Sequence, residues 1–148
     1  MRMSPIRLCD LTEVSANSVR SRYHEDMRNP NILIVEDEMI TALDLRNQLR
    51  QAGYGVGALA TSGEDAVRMS EEFKPDLVLM DVKLAGTMNG IDASRRIQET
   101  MRIPVIYLTS YPDVFIKAPN QMQPPYLCIS KPFSLPELKT LIDIALQQ

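Results

Sequence analysis

The sequence predicts an α/β domain built on a parallel sheet, and three observations carry that expectation. Short continuous apolar runs recur along the chain, of the kind that a strand buried on both faces requires. Between them lie segments whose apolar residues return at helical spacing. The two alternate at a pitch that suits right-handed strand-helix-strand crossovers, and five such units are readable.

The first apolar run is Ile32-Leu33-Ile34-Val35. Ala42, Leu45, Leu49 and Ala52 then recur at helical spacing, and Gly53 stands where a left-handed C-terminal cap is needed. A second strand follows from Val56 to Ala60, and a second helix from about Glu64 to Phe73. Leu77-Val78-Leu79-Met80, bounded by Pro75 and Asp81, reads as the third strand, and Gly90 to Met101 as the third helix. Val105-Ile106-Tyr107-Leu108 is the fourth strand; a weaker fifth spans Tyr126 to Ser130. Between these two strands Pro112, Pro119, Pro124 and Pro125 restrict the chain to one or two helical turns, near Asp113 to Ala118. The last helix opens on Ser134-Leu135-Pro136-Glu137, a capping box with Pro in the first turn, and carries Leu138, Leu141, Ile142 and Ala145 on one face.

The chain is long enough for one ordinary domain and too short for two. Hydrophobic residues at 45% and charged residues at 24% match a globular protein, and the net charge of −3 gives no general attraction to nucleic acid or anionic lipid. Cys9 and Cys128 form neither a disulfide framework nor a metal-ligand spacing, which fits a reducing, cytoplasmic setting. The first 25 residues lack the apolar core of a signal peptide, and no stretch approaches the ~18 apolar residues of a membrane span. Residues 1–29 read as a flexible extension, with five Arg against four acids and apolar positions too sparse for either period; residues 30–148 are the folded domain. Met27, just before the first strand, leaves open a start later than Met1. Of the scattered methionines, Met69, Met80 and Met101 read as core filler; His24 and Arg95-Arg96 read as solvated and Cys128 as a small buried hydrophobe.

In an open α/β sheet, ligands bind beyond the carboxyl ends of the strands. Here those ends carry Glu36-Asp37-Glu38, Asp81, Thr109-Ser110 and Lys131-Pro132: acids, hydroxyls and an ammonium on one rim. Two carboxylates about 4 Å apart repel by roughly 4 kcal/mol at an effective dielectric near 20, so such a cluster calls for a cation. Oxygen donors suit Mg²⁺, with Mn²⁺ as the alternative. Asp37 and Asp81 would bind it directly, with a backbone carbonyl just past Asp81 and, through a water, Glu36; Lys131 would add fixed positive charge. Taken singly, each residue reads as an ordinary surface group. The joint placement at four strand ends carries the argument.

With these residues in place, the sequence resembles the receiver domains of two-component response regulators. The likeness rests on Ile32 to Glu38, Pro75 to Gly90, Ile103 to Ser110 and Ser130-Lys131-Pro132-Phe133, and covers roughly residues 31 to 148. It implies a flavodoxin-like (βα)5 fold, a doubly wound parallel five-stranded sheet, and transfer of a phosphoryl group from a kinase phosphohistidine to an aspartate. Asp81 matches the phosphoacceptor, Asp37 the direct Mg²⁺ ligand, Glu36 its acidic neighbour, and the Lys83 carbonyl the backbone ligand. Lys131 and Thr109 match the residues that meet the phosphoryl oxygens, and small Ser110 leaves the phosphorus accessible.

Some positions depart from the family pattern. An aromatic residue often stands three before the lysine; here it is Cys128, and either Tyr126 substitutes or the usual aromatic switch is absent. A common Pro is replaced by Ala85, and the segment to Gly90 is one residue longer than usual. Lys83 and Tyr111 occupy positions where the family tunes phosphoryl lifetime; they either shield the acyl phosphate from water or are plain surface groups.

The resemblance implies a partner sensor histidine kinase or phosphotransfer protein and a downstream protein target. Since the last helix nearly reaches Gln148, a stand-alone receiver is expected, with output through another protein, by onward transfer, or through a homodimer on the face of the fourth helix, fifth strand and last helix. A piece of a larger regulator or hybrid kinase is the other possibility. No direct nucleic-acid or membrane contact is expected, and no catalysis beyond the chain's own phosphorylation and dephosphorylation. Two rival readings are a metal-dependent phosphohydrolase with Asp81 as nucleophile, which wants a second acid where Lys83 stands, and a receiver-like scaffold not phosphorylated in use.

Overall fold

The computed structural model describes residues 29–84, 86–110 and 127–147. Within them the chain forms β1 (Asn31–Val35), α1 (Met39–Gln51), β2 (Gly55–Ala60), α2 (Gly63–Phe73), β3 (Leu77–Asp81), α3 (Gly90–Met101), β4 (Val105–Thr109), β5 (Leu127–Ser130) and α4 (Leu135–Leu146). The expected extension before Asn29, the turns near Asp113 to Ala118, and Ala85, Tyr111 and Tyr126 lie outside the described residues.

All five strands run parallel in the order β2-β1-β3-β4-β5. The predicted doubly wound architecture is therefore present. Adjacent residues of a strand face opposite ways, and both faces are apolar. Ile32 and Ile34 of β1 and Leu77 and Leu79 of β3 pack with Ala42, Leu45 and Leu49 of α1 and with Leu138, Leu141 and Ile142 of α4. Leu33, Val35, Val78 and Met80 turn to the other face, against Ala66 of α2 and Ile91, Ala93 and Ile97 of α3. This double burial explains why the strands read as continuous apolar runs rather than alternating ones. Met80 is fully buried and Met69 and Met101 pack against the same core, as filler does.

The helix ends follow local chemistry. Ser62, Asn89 and Ser134 accept hydrogen bonds from the backbone N–H groups of Asp65, Asp92 and Glu137 and so satisfy donors that the first turn leaves open. Gly53 follows α1 at φ +97, the left-handed position expected of it. Lys74 and Arg102 close α2 and α3 in the same conformation without being glycine.

Chain order reverses between β1 and β3: β2 lies on one side of β1, and β3, β4 and β5 on the other. The crevice beyond the carboxyl ends of β1 and β3 is thus the switch point at which such sheets bind ligands.

Candidate functional site

Two strand ends deliver three acids to this crevice. Glu36 follows β1 directly, and its N–H donates to the Ala60 carbonyl at 2.9 Å, which extends the strand by one residue and fixes the side chain over the cleft. It is 4% exposed. Asp37 comes next and is exposed, whereas Asp81, the last residue of β3, is 8% exposed. One carboxylate oxygen from each of Glu36, Asp37 and Asp81 lies within 4.8 Å of the others.

Lys131, just past β5, joins the two buried acids. Its Nζ donates to Glu36 Oε2 at 3.1 Å and to Asp81 Oδ2 at 3.2 Å. The remaining oxygens are used as well: Glu36 Oε1 accepts from the Glu38 N–H at 3.2 Å, and Asp81 Oδ1 from the Lys83 N–H at 3.1 Å. Lys131 is placed by its own backbone, whose N–H donates to the Thr109 carbonyl at 2.8 Å. Thr109 itself ends β4, beside β3, and is buried at 3% exposure; Ser110 and Lys83 are exposed. The structure thus brings Glu36, Asp37, Asp81 and Lys131 together, with Thr109 at the end of the neighbouring strand.

The electrostatics follow from burial. Burial pushes the Glu36 carboxyl up to about 7, the adjacent Asp81 carboxyl pushes the same way, and Lys131 pulls against both. Desolvation works against the Lys131 ammonium, yet the hydrogen bonds and charges of Glu36 and Asp81 outweigh it and hold the group above its ordinary value. Three carboxylates against one ammonium leave negative charge in excess. The donors are oxygens, which suits a hard divalent cation such as Mg²⁺.

Some features of the site have no sequence motif. Gly90, at the start of α3, has no room for a Cβ, which would run into the Asp81 carbonyl oxygen and come within 2.9 Å of Val82 Cα. Gly63 is equally confined by Met88. Tyr107, buried on β4 two residues before Thr109, is paired across the sheet with Cys128, and its hydroxyl is hydrogen-bonded to Ser94 Oγ on α3. Because Ser94 donates to the Ile91 carbonyl at 2.8 Å, Tyr107 is the donor to Ser94. The small Cys128 stands in register with the large Tyr107, and both belong to the apolar cluster on the α2–α3 face. No signal in the sequence marks this pair, because which residues stand opposite one another depends on the register of β4 with β5.

A parallel five-stranded sheet with buried carboxylates and a lysine at its switch point defines a receiver of two-component signalling. The chain belongs to the response regulator receiver domain family, which it matches over residues 32–143. It is 37% identical over 119 residues to the transcriptional regulatory protein PdtaR of Mycobacterium tuberculosis, covering 79% of this chain and 57% of that protein. The receiver domain of the Erythrobacter litoralis response regulator PhyR, solved by NMR, superposes with a TM-score of 0.72 at 33% identity, covering 81% of this chain and 92% of that one. The receiver domain of sensor histidine kinase PA1611 from Pseudomonas aeruginosa, with magnesium coordinated in its active-site cleft, gives a TM-score of 0.70 at 28% identity and covers 81% and 99%. The chain spans about half the length of the curated relatives it matches. Receiver domains bind Mg²⁺ at an acidic site, and this chain carries the acidic cluster. No helix among the described residues is long and apolar enough to cross a membrane.

Proposed function

We propose that this chain accepts a phosphoryl group on Asp81 from a phosphohistidine of a sensor histidine kinase or phosphotransfer protein and signals through the resulting two-state change. A carboxylate oxygen of Asp81 forms the new O–P bond in line with the breaking P–N bond; the electron pair stays with the imidazole nitrogen, which takes a proton from solvent. The Lys131 ammonium and the Thr109 hydroxyl meet the phosphoryl oxygens, and the Thr109 contact draws that residue toward Asp81. Ser110 leaves the phosphorus open to attack. Asp37, Asp81 and the Lys83 carbonyl would hold Mg²⁺, or Mn²⁺, with Glu36 acting through a water. The metal would supply further positive charge to the transferring group.

The observation that carries this reading is the Lys131 ammonium held between Asp81 and Glu36 at the switch point. A phosphohydrolase is less well supported, because Lys83 stands where that chemistry wants a second acid. The donor docks beside the site: Met39 and Ile40, 44% and 81% exposed, open α1 directly after Glu36-Asp37-Glu38 and offer it an apolar contact. The signal leaves through a downstream protein, by onward transfer, or through a homodimer that includes β5 and α4. The setting is cytoplasmic, with no direct contact to nucleic acid or membrane.

The test is incubation with Mg²⁺ and acetyl phosphate, read by intact mass. A phosphoryl mass gain is expected for the wild type and none for Asp81→Asn or without metal. An equal gain in Asp81→Asn would overturn the assignment.

A further inference from the structure

Between Asp81 and Gly90 the chain crosses the rim of the site, and both ends of this crossing are fixed at the carboxyl end of β3, on Asp81 and Val82. The Lys83 N–H donates to Asp81 Oδ1, and the Gly90 N–H donates to the Val82 carbonyl at 3.1 Å. The middle is held from a different element. Glu64, in the first turn of α2, accepts with one oxygen, Oε1, from both the Thr87 hydroxyl at 2.8 Å and the Met88 N–H at 3.2 Å. The backbones are in contact there, since a Cβ on Gly63 would come within 2.7 Å of the Met88 carbonyl oxygen. Hydrogen bonds from its own backbone N–H and from Thr87 hold the Glu64 carboxyl below its ordinary value, so the ionised form is the one that grips the loop.

Glu64 and Thr87 are exposed, and exposed polar pairs add little to global stability. What such a clamp can do is fix the course of a loop. We infer that Glu64 is a positioning residue for the phosphoacceptor site: by gripping Thr87 and Met88 it fixes the path along which Lys83 presents its backbone beside Asp81, and so sets the affinity for the divalent cation. This rests on the proposed function, in which the Lys83 carbonyl is a metal ligand. Glu64 touches neither cation nor phosphoryl group, and its influence runs through the loop.

The experiment is calorimetric titration with Mg²⁺ of the wild type, Glu64→Ala, Glu64→Gln, Thr87→Val and the Glu64→Ala/Thr87→Val double variant. Glu64→Ala should weaken Mg²⁺ binding by about three- to tenfold, less than the ten- to hundredfold typical when a ligand's own hydrogen-bond partner is removed. Glu64→Gln removes the same charge but keeps an accepting oxygen, so it should recover most of the affinity. The double variant should bind no more weakly than Glu64→Ala alone, because the contact that Thr87→Val removes is one of the two that Glu64→Ala already removes. At saturating Mg²⁺, acetyl phosphate should label Glu64→Ala as fully as the wild type. The inference is overturned if Glu64→Ala binds Mg²⁺ like the wild type, even with a lowered melting temperature, or if Glu64→Gln is as impaired as Glu64→Ala, which would reduce the effect to surface charge. A wild type that binds no Mg²⁺ would instead overturn the metal-site reading beneath it.

Discussion

Lys131 does at close range what the spacing of charges demanded. Two buried carboxylates at neighbouring strand ends would repel, and one ammonium with a bond to each turns that repulsion into a tie between the ends of β1, β3 and β5. Cys128, three residues earlier, tells a plainer story. It is half-buried beside the apolar cluster of α2 and α3, and burial pushes its thiol up to about 11 from an ordinary 9.0. The thiolate is then about one part in a thousand at pH 8. In a Cys9→Ser background, iodoacetamide should alkylate Cys128 at pH 8 at least about thirtyfold more slowly in the folded protein than in urea; equal rates would contradict the burial. The value is raised in the folded state, so this thiol's contribution to stability is whole below pH 9, declines as pH rises through 11, and is absent in Cys128→Ala.

At the scale of elements, the joints between strand and helix decide the geometry of the site. Gly90 starts α3 hard against the Asp81 carbonyl. Gly90→Ala should therefore cost about 2 kcal/mol in urea unfolding, as overpacking does, and should slow labelling by acetyl phosphate because the strand end carrying Asp81 must shift. Gly53→Ala is the contrast: φ is +97 there with nothing within 4 Å, so it should cost about 1 kcal/mol and leave labelling unchanged. Slower labelling in both variants would point to general destabilisation instead. These joints also mark the limit of what the sequence disclosed. Strands and helices were legible because both faces of the sheet are apolar and three of the four described helices carry a capping side chain. Glu36, Asp81 and Lys131 were legible because each stands at the end of an apolar run. The left-handed ends at Lys74 and Arg102 have no glycine to mark them. The confinement of Gly63 by Met88 and of Gly90 by Asp81, and the pairing of Tyr107 with Ser94, are contacts between segments apart in the chain, which no local pattern encodes.

The whole molecule presents a rim with chemistry on it and, beside the rim, an exposed apolar contact at Met39 and Ile40. On the proposed function a small donor uses only the rim, and a protein donor uses the contact as well. Ile40→Asp should therefore leave labelling by acetyl phosphate unchanged and slow transfer from the cognate kinase by about tenfold, the scale of a lost interface side chain worth over 1 kcal/mol. Equal slowing with both donors would place the effect in the site rather than in docking.

The two apolar cores impose a further rule on the chain. β1, β3, β4 and β5 deal their residues alternately to one core and the other, so each of them has a parity, and an insertion or deletion of one residue within it would exchange the two sets; β2, whose register against β1 shifts after Gly55, is the exception. The rule reaches Asp81, because the direction of its carboxylate continues the count that begins at Leu77. Drift in length is thereby confined to the connections, and those beyond the carboxyl ends of the strands are the ones that border Asp81. Descendants of this chain are free to differ most around the acidic rim, while the sheet beneath keeps count.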